Sequence, residues 1–452
     1  MVANEGRASA ADAGRRLAER LRADGVDMVA LSWVDNAGVT RAKTVPVQRL
    51  PQAAAWGVGF AAVRDYYGVD DTVAEDRRAE APVGDVRLHP DLATVTPFAA
   101  RSGWAWAAVD RFTQEGEPFA GDQRLFARRM VRRAAEQGLT LQMAFELEWF
   151  VAGPDGRPAG PGSAYAMARV LELADYAREL VVCLEAQGVP VEQFHPESAS
   201  GQLELAVGHT DPIAAADRIL LVRDTVRAVS QRHGLSVSFA PVHTVGQAGN
   251  GLHLHVSVWN GETNLFAGGS GPHGVTPAGE SILAGLLACL PALSALTAPG
   301  VLSRLRLVPR RWAGARHCWG RENREAGLRL ITGATGEQRD AANIELKPCD
   351  SAANPYLVVG AVTALAAAYA ERGLRLPPEV TRDPETMPEE LRPPLLPGTV
   401  SAAVDHLLDC AELVEAMGPA LLGAFVSVRR AEAARFADLP VEEILDRVRW
   451  TY

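Results

Sequence analysis

The sequence predicts an α+β protein, with a β-rich N-terminal region followed by a larger region of alternating helices and strands. Three observations carry that expectation. Residues 26–33 read as a strand, Asp35-Asn-Ala-Gly38 as a turn and residues 43–47 as a second strand, which is a hairpin signal. At Gly121 the texture changes, and long apolar-periodic segments with capping residues begin. Three short runs further on place polar groups two residues apart: Phe145-Glu146-Leu147-Glu148, His253-Leu254-His255-Val256-Ser257 and Ile344-Glu345-Leu346-Lys347. In a strand, such residues share one face.

The elements follow in order. Residues 11–24 predict a short helix with Leu17 and Leu21 inward, ahead of the hairpin. Short strands and turns continue to about Trp106. Asp122 can cap a helix running through Leu125, Met130 and Ala134 to Gly138. A strand over 141–151 and a Gly/Pro-rich loop over 153–163 come next. Helices are expected at 167–187 and 211–233, ending at Gly188 and Gly234. A strand at 252–259 precedes the Asn260-Gly261 turn, and helices resume at 277–298. Residues 281–300 carry no charge over the length of a bilayer span. Pro291, Pro299 and many small residues favour a buried helix pair broken at Pro291 over a membrane span. Asn354 caps and Pro355 opens a helix reaching Tyr369. A Pro- and acid-rich linker, 376–398, leads to helices at 399–417, 419–436 and 440–449.

Composition limits the function. Hydrophobic residues make up 48% and charged residues 22% of 452, an ordinary soluble mix. The formal net charge of -10 argues against a nucleic-acid partner. Five scattered cysteines without a C-x-x-C fit a reduced cytosol, and the N-terminus lacks the apolar stretch of a signal peptide, so a cytoplasmic location is expected. Only Lys43 and Lys347 are lysine in an arginine-rich chain, which singles out Lys347 beside Glu345.

Taken singly, each polar run has a plain explanation. Glu146 and Glu148 could mark a strand with one wet face, but the bulky Phe145, Leu147, Trp149 and Phe150 around them argue against it. His253, His255 and Ser257 follow the glycine-dense loop Gly246-Gln-Ala-Gly-Asn-Gly251, which lets backbone approach a ligand. Glu197 and Glu204, seven apart across Gly201, could be surface acids or two ligands on successive segments. Arg306, Arg324 and Arg329 offer forks that match carboxylate and phosphate oxygens. Together these carboxylates and imidazoles suit a hard divalent cation serving phosphate chemistry.

Read in order, Phe145-Glu-Leu-Glu148, Gly201-Gln-Leu-Glu204, Gly249-Asn-Gly-Leu-His-Leu-His255, Glu322-Asn-Arg324, Glu345-Leu-Lys347 and Asn354-Pro-Tyr-Leu357 resemble the glutamine synthetase superfamily over nearly the whole chain. The resemblance implies an N-terminal β-grasp domain (1–110) and a C-terminal catalytic α/β domain (111–452). It further implies a homo-oligomer, commonly a dodecamer of two stacked hexamer rings, with each site shared between neighbours. The implied reaction uses ATP and two or three Mg2+ or Mn2+ ions to phosphorylate the γ-carboxylate of glutamate before an amine displaces phosphate. By position, Glu146, His253 and Glu345 resemble the ligands of one ion, and Glu148, Glu197 and Glu204 those of another. Glu192, His195, His255 and Ser257 match nucleotide-contacting positions. Arg324 and Arg329 match arginines near the transferred phosphoryl group, with Arg324 also at the nucleotide. Gly249, Arg306 and Lys347 match glutamate-binding positions.

Three departures bear on the acceptor. Ala61 and Trp312 stand where ammonia-using members of the family carry acids, and Lys347 replaces an arginine. A buried ammonium without a carboxylate partner is costly, whereas an indole offers a flat wall to a carbon-bearing amine. The expectation is therefore the amine-using branch, a γ-glutamyl–amine ligase. Loss of two acids favours an ethanolamine-like monoamine. A polyamine, ammonia itself, another carboxylic acid substrate and a non-catalytic homologue are the alternatives. The proton released by the incoming amine could pass to Glu322, Asp65 or water. The segment Asp383-Pro-Glu-Thr-Met-Pro-Glu-Glu390 lacks the tyrosine that some bacterial members adenylylate.

Overall fold

A computed structural model describes residues 2–77 and 83–452. The first sheet is built from β1 (Met28–Val34), β2 (Thr40–Pro46), β3 (Val58–Ala61), β4 (Asp85–Pro90), β5 (Thr96–Pro97) and β6 (Trp104–Thr113). Its order is β2-β1-β6-β4-β3, with β5 on β6. β1 and β6 run parallel in the middle while the outer pairs are antiparallel, the β-grasp arrangement. Val29, Leu31, Leu88, Ala105 and Ala107 alternate inward and close this small core against Leu21 and Leu50 from two helices. The hairpin turn holds because the Asp35 carboxylate accepts the N–H groups of Ala37 and Val39. The leading helix is longer than its apolar stripe and spans Val2–Ala23.

The second sheet holds β7 (Leu139–Ala152), β8 (Val191–Pro196), β9 (Gln202–Val207), β10 (Ser236–Ser238), β11 (Leu252–Asn260), β12 (Thr263–Asn264), β13 (Arg316–Arg321), β14 (Ala326–Ile331) and β15 (Asn343–Leu346). Its main order is β13-β14-β15-β11-β7-β9-β8. One face rests on helices 123–136, 212–232, 277–288 and 355–369, whose apolar residues join a single large core. Helix Pro355–Tyr369 is buried along almost all its length, which explains its apolar character all round. Asn354 caps it, accepting from Tyr356 and Leu357 N–H. The opposite face of the sheet is left for polar side chains.

Several helix boundaries differ from expectation. The segment 167–187 is two helices, Met167–Glu172 and Ala174–Ala186, bent at Leu173. The charge-free stretch is a buried helix pair bent by 69°, but the break falls at Cys289, with Pro291 in the first turn of the second helix. At the C-terminus an additional break at Cys410 separates Val400–Asp409 from Ala411–Phe436. The expected break at Gly418 is present as a kink with φ 73°. Helix Ala411–Phe436 is long and apolar enough to cross a membrane, with half of its most apolar window buried inside the fold.

The two sheets are locked together by a buried cation. Arg124, 3% exposed, binds Asp91 and Asp110 of the first unit and Asp217 of helix 212–232 at 2.6–2.8 Å. Removing one partner of such a network would strand a buried charge.

Candidate active site

The polar face of the second sheet gathers the residues singled out above because the strands pair in register. Glu146 lies opposite His253, Glu148 opposite Glu204, and Glu204 opposite His195. On the other side, His255 and Arg329 both lie opposite Glu345. Period-two alternation then points these side chains one way, while Phe145, Leu147, Leu205 and Leu254 enter the core.

Two clusters result. In the first, His253 Nδ1 faces Glu146 Oε1 at 2.9 Å and Glu345 Oε1 at 3.4 Å, and the three ligand atoms fit around one point. In the second, His195 Nε2 sits 3.1 Å from Glu204 Oε1, with Glu197 beside them. Glu148 bridges the clusters, 3.8 Å from His253 Nε2 and bound by Gln202 Nε2 at 2.7 Å. Carboxylates with one imidazole form an oxygen-rich donor set that suits Mg2+ or Mn2+.

The electrostatics are those of crowded anions. Burial and then the neighbouring Glu204 push Glu148 up to about 8. Glu204 is also raised, by burial first. Glu146 is held down at about 2: burial opposes this, but the His253 hydrogen bond outweighs it. Burial likewise opposes ionisation of Glu345, yet Lys347 holds it well below the usual carboxylate range. Lys347 Nζ donates to Glu345 Oε1 at 2.8 Å. His253 is pushed down to about 4 by burial and then Lys347, leaving a neutral ring at pH 7. The net picture is a preformed anionic cradle in which a cation would relieve the repulsion felt by Glu148.

Glycines make room for this crowding. A Cβ on Gly251 would lie 2.6 Å from His253 Nε2 and 2.8 Å from both Arg306 Nη2 and Glu148 Oε1. A Cβ on Gly249 would strike Pro241 O at 2.2 Å. Arg306, 5% exposed, donates to His253 Nε2 at 3.0 Å and keeps Nη1 without a partner, a buried donor aimed at the same region.

Two adjacent cavities share this face. One, of ≈ 70 Å³, is bounded by Glu146, Glu148, Glu197, Glu204 and His253 together with Gly249, Arg306, Lys347, Arg324 and Trp312. The other, of ≈ 410 Å³, is lined by Glu192, His255 and Ser257 with Gln142, Trp259 and Asn343. Of the expected nucleotide residues, His195 and Arg324 do not line the larger cavity. His195 turns to Glu204, and Arg324 lies at the smaller cavity. Arg329 donates to Glu345 at 3.0 Å and Glu322 at 2.7 Å. Ala61 ends an exposed edge strand and does not line the smaller cavity within its own chain. Asp65, weighed as a proton acceptor, is buried in the first unit, where Arg111 Nη1 binds it at 2.7 Å. It does not face the cleft. Glu322 is occupied by Arg329 and by the Thr332 N–H.

Sequence reasoning missed three participants. Tyr165, 54% exposed with φ 56°, reaches over the smaller cavity to donate to Glu197. Gln202 holds Glu148 and bonds the Gly249 carbonyl at 3.0 Å. Glu325 accepts the N–H groups of Arg310 and Trp312 at 3.2 and 3.0 Å, fixing a loop where both residues have positive φ. The residues on β7, β11 and β15 were marked by period-two spacing. No comparable signal marks Tyr165, which follows a Gly/Pro-rich loop.

Fold and site together define an ATP-dependent carboxylate–amine ligase that uses divalent cations. The chain belongs to the glutamine synthetase family: the family's catalytic domain matches residues 120–447 and its N-terminal domain residues 12–117. It is 47% identical to the gamma-glutamylpolyamine synthetase GlnA3 of Streptomyces coelicolor, over 99% of this chain and 98% of that protein. It is 27% identical to the glutamine synthetase of Halobacterium salinarum, over 94% of each. Among solved structures, a novel glutamine synthase homolog superposes with a TM-score of 0.85 at 30% identity, covering 94% of this chain and 99% of that one. GmaS in complex with ADP superposes with a TM-score of 0.83 at 28% identity, covering 94% and 97%.

Proposed function

We propose that this protein joins the γ-carboxylate of glutamate to a primary amine through γ-glutamyl phosphate, with a polyamine as the acceptor class. The observation that carries the reading is the smaller cavity, where Glu146, Glu148, Glu197, Glu204 and His253 meet Trp312, with Glu345 clustered behind them on Glu146 and His253. In this reading Glu146, His253 and Glu345 hold one cation and Glu148, Glu197 and Glu204 another. These ions would neutralise nucleotide and acyl-phosphate oxygens. Glu192, His255 and Ser257 bind ATP from the larger cavity, with His195 and Arg324 at its border with the acids. Gly249, Arg306 and Lys347 bind glutamate. Arg324 and Arg329 balance charge developing on the transferred phosphoryl group.

The acceptor assignment moves away from the ethanolamine-like amine that the lost acids suggest. The relative at 47% identity is named for polyamines. The premise that a polyamine needs acids is also weakened, because Trp312 and Tyr165 stand exposed at the cavity and can face extra ammonium groups by cation–π contact. A short monoamine remains the second reading, favoured by the apolar Trp312 and Ala61. In a cytoplasmic assembly of two stacked hexamer rings, Ala61 of a neighbour would complete the acceptor channel. The test is the initial rate of ADP release with glutamate and, in turn, spermidine, putrescine, ethanolamine, methylamine and ammonia. The highest kcat/KM is expected with a polyamine. A preference for ammonia would overturn the reading, and a preference for ethanolamine would restore the monoamine.

A further inference from the structure

We infer that Cys289, Cys410 and Glu412 form a second metal site, for a thiophilic divalent cation of the zinc class, on the helical side of the fold. Cys289 lies at the bend between helices 277–288 and 290–297, and Cys410 at the break between helices 400–409 and 411–436. Helix 400–409 packs against helix 290–297, which brings the two breaks together. Each cysteine occupies the N-cap position of the following helix; the hydrogen bond between them holds the Cys410 thiol down at about 7 and raises that of Cys289.

The spacing is that of ligands around one ion. Cys410 Sγ is 3.7 Å from Cys289 Sγ and 3.8 Å from Glu412 Oε2. Two thiolates at about 2.3 Å from a tetrahedral zinc stand about 3.8 Å apart, and a thiolate and a carboxylate oxygen about 3.6 Å. A disulfide would instead need a separation of about 2.0 Å. Supporting contacts hold the donors in place. Arg372 Nη1 donates to Glu412 Oε1 at 2.7 Å, which leaves Oε2 turned to sulfur. The Tyr369 hydroxyl lies 3.4 Å from Cys289 Sγ, near enough to orient it or to serve as a fourth ligand. A cavity of ≈ 270 Å³ bounded by Arg372, Glu412 and Glu415 reaches the carboxylate of the triad. Among the described residues, the other groups with this ligand spacing are the two on the catalytic face.

Binding would replace the two thiol protons, releasing both to solvent, and form two metal–sulfur bonds and one metal–oxygen bond. The ion would then clamp the helix pair 277–288 and 290–297 to the C-terminal helices. Because the catalytic cations meet only oxygen and imidazole, sulfur ligation separates the sites. The whole protein, kept reduced and loaded with Co2+, is expected to show thiolate-to-cobalt charge transfer in the near ultraviolet, lost on adding one equivalent of Zn2+. Zn2+ added at one equivalent over saturating Mg2+ is expected to raise Tm more in the wild type and in C183S than in C289S/C410S. The absence of a charge-transfer band in the wild type, or its persistence in C289S/C410S, would overturn the site. Should the double variant fail to fold, X-ray absorption of the zinc-loaded wild type decides, and a zinc shell without sulfur rejects the proposal.

Discussion

Gly251→Ala adds one methyl group at the centre of the proposed chemistry and changes no charge. The added Cβ would lie 2.6 Å from His253 Nε2 and 2.8 Å from Arg306 Nη2 and Glu148 Oε1. Ordinary contact begins near 3.4 Å, so these groups must retreat by about 0.6–0.8 Å. All three are buried, and Glu148 is also tied to Gln202, so none moves freely. A misplacement of about 1 Å at a reacting centre can cost about 100-fold. We therefore expect kcat to fall about 10- to 100-fold, together with a loss of about 1–3 kcal/mol of stability from overpacking, read as a lower Tm. The assay is steady-state ADP release with glutamate and polyamine at saturating Mg2+, alongside thermal melting. Activity within about twofold of wild type would refute the claim that these three groups act together.

Other perturbations probe separate parts of the site. Glu325→Gln leaves one acceptor oxygen for two N–H groups in a loop held at positive φ; the loss of about 1 kcal/mol should raise KM for the amine about fivefold, with KM for ATP unchanged. An equal rise in both constants would show general loosening of the fold. Trp312→Glu restores a carboxylate at the acceptor wall and should lower the amine-to-ammonia ratio of kcat/KM about tenfold; an unchanged ratio would place the acceptor elsewhere. His243, stacked on Phe150 with centroids 3.5 Å apart, is pushed down to about 4 by burial and then by Arg449. The unfolded chain takes up its proton near 6.5, so stability should fall as pH drops from about 6.5 to 4. The Tm of His243→Asn should decline less over that window, and parallel curves for the two proteins would contradict the assignment.

Much of this was legible before the structure because strand periodicity is a local property. Glu146, Glu148, His253, His255 and Glu345 alternate with apolar residues, and the sheet places them where that alternation says. Caps were equally local: Asp122 accepts Leu125 N–H, and Asn354 caps the helix that begins at Pro355. What failed depended on long-range partners. Asp65 is a fair acid by sequence, but Arg111, 46 positions away, buries it. The break at Cys410 has no glycine or proline to announce it; it is set where helix 400–409 turns to pack on helix 290–297. Tyr165 escaped notice because an irregular loop carries it, and only the fold brings it to Glu197.

The central claim is that ATP energises the γ-carboxylate of glutamate and an organic amine then displaces phosphate. Its most direct measurement uses glutamate labelled with 18O in the γ-carboxylate, ATP and spermidine, followed by mass analysis of both products. The account predicts one labelled oxygen in inorganic phosphate for each γ-glutamyl amide formed. Unlabelled phosphate, or labelled phosphate without amide to match it, would contradict it.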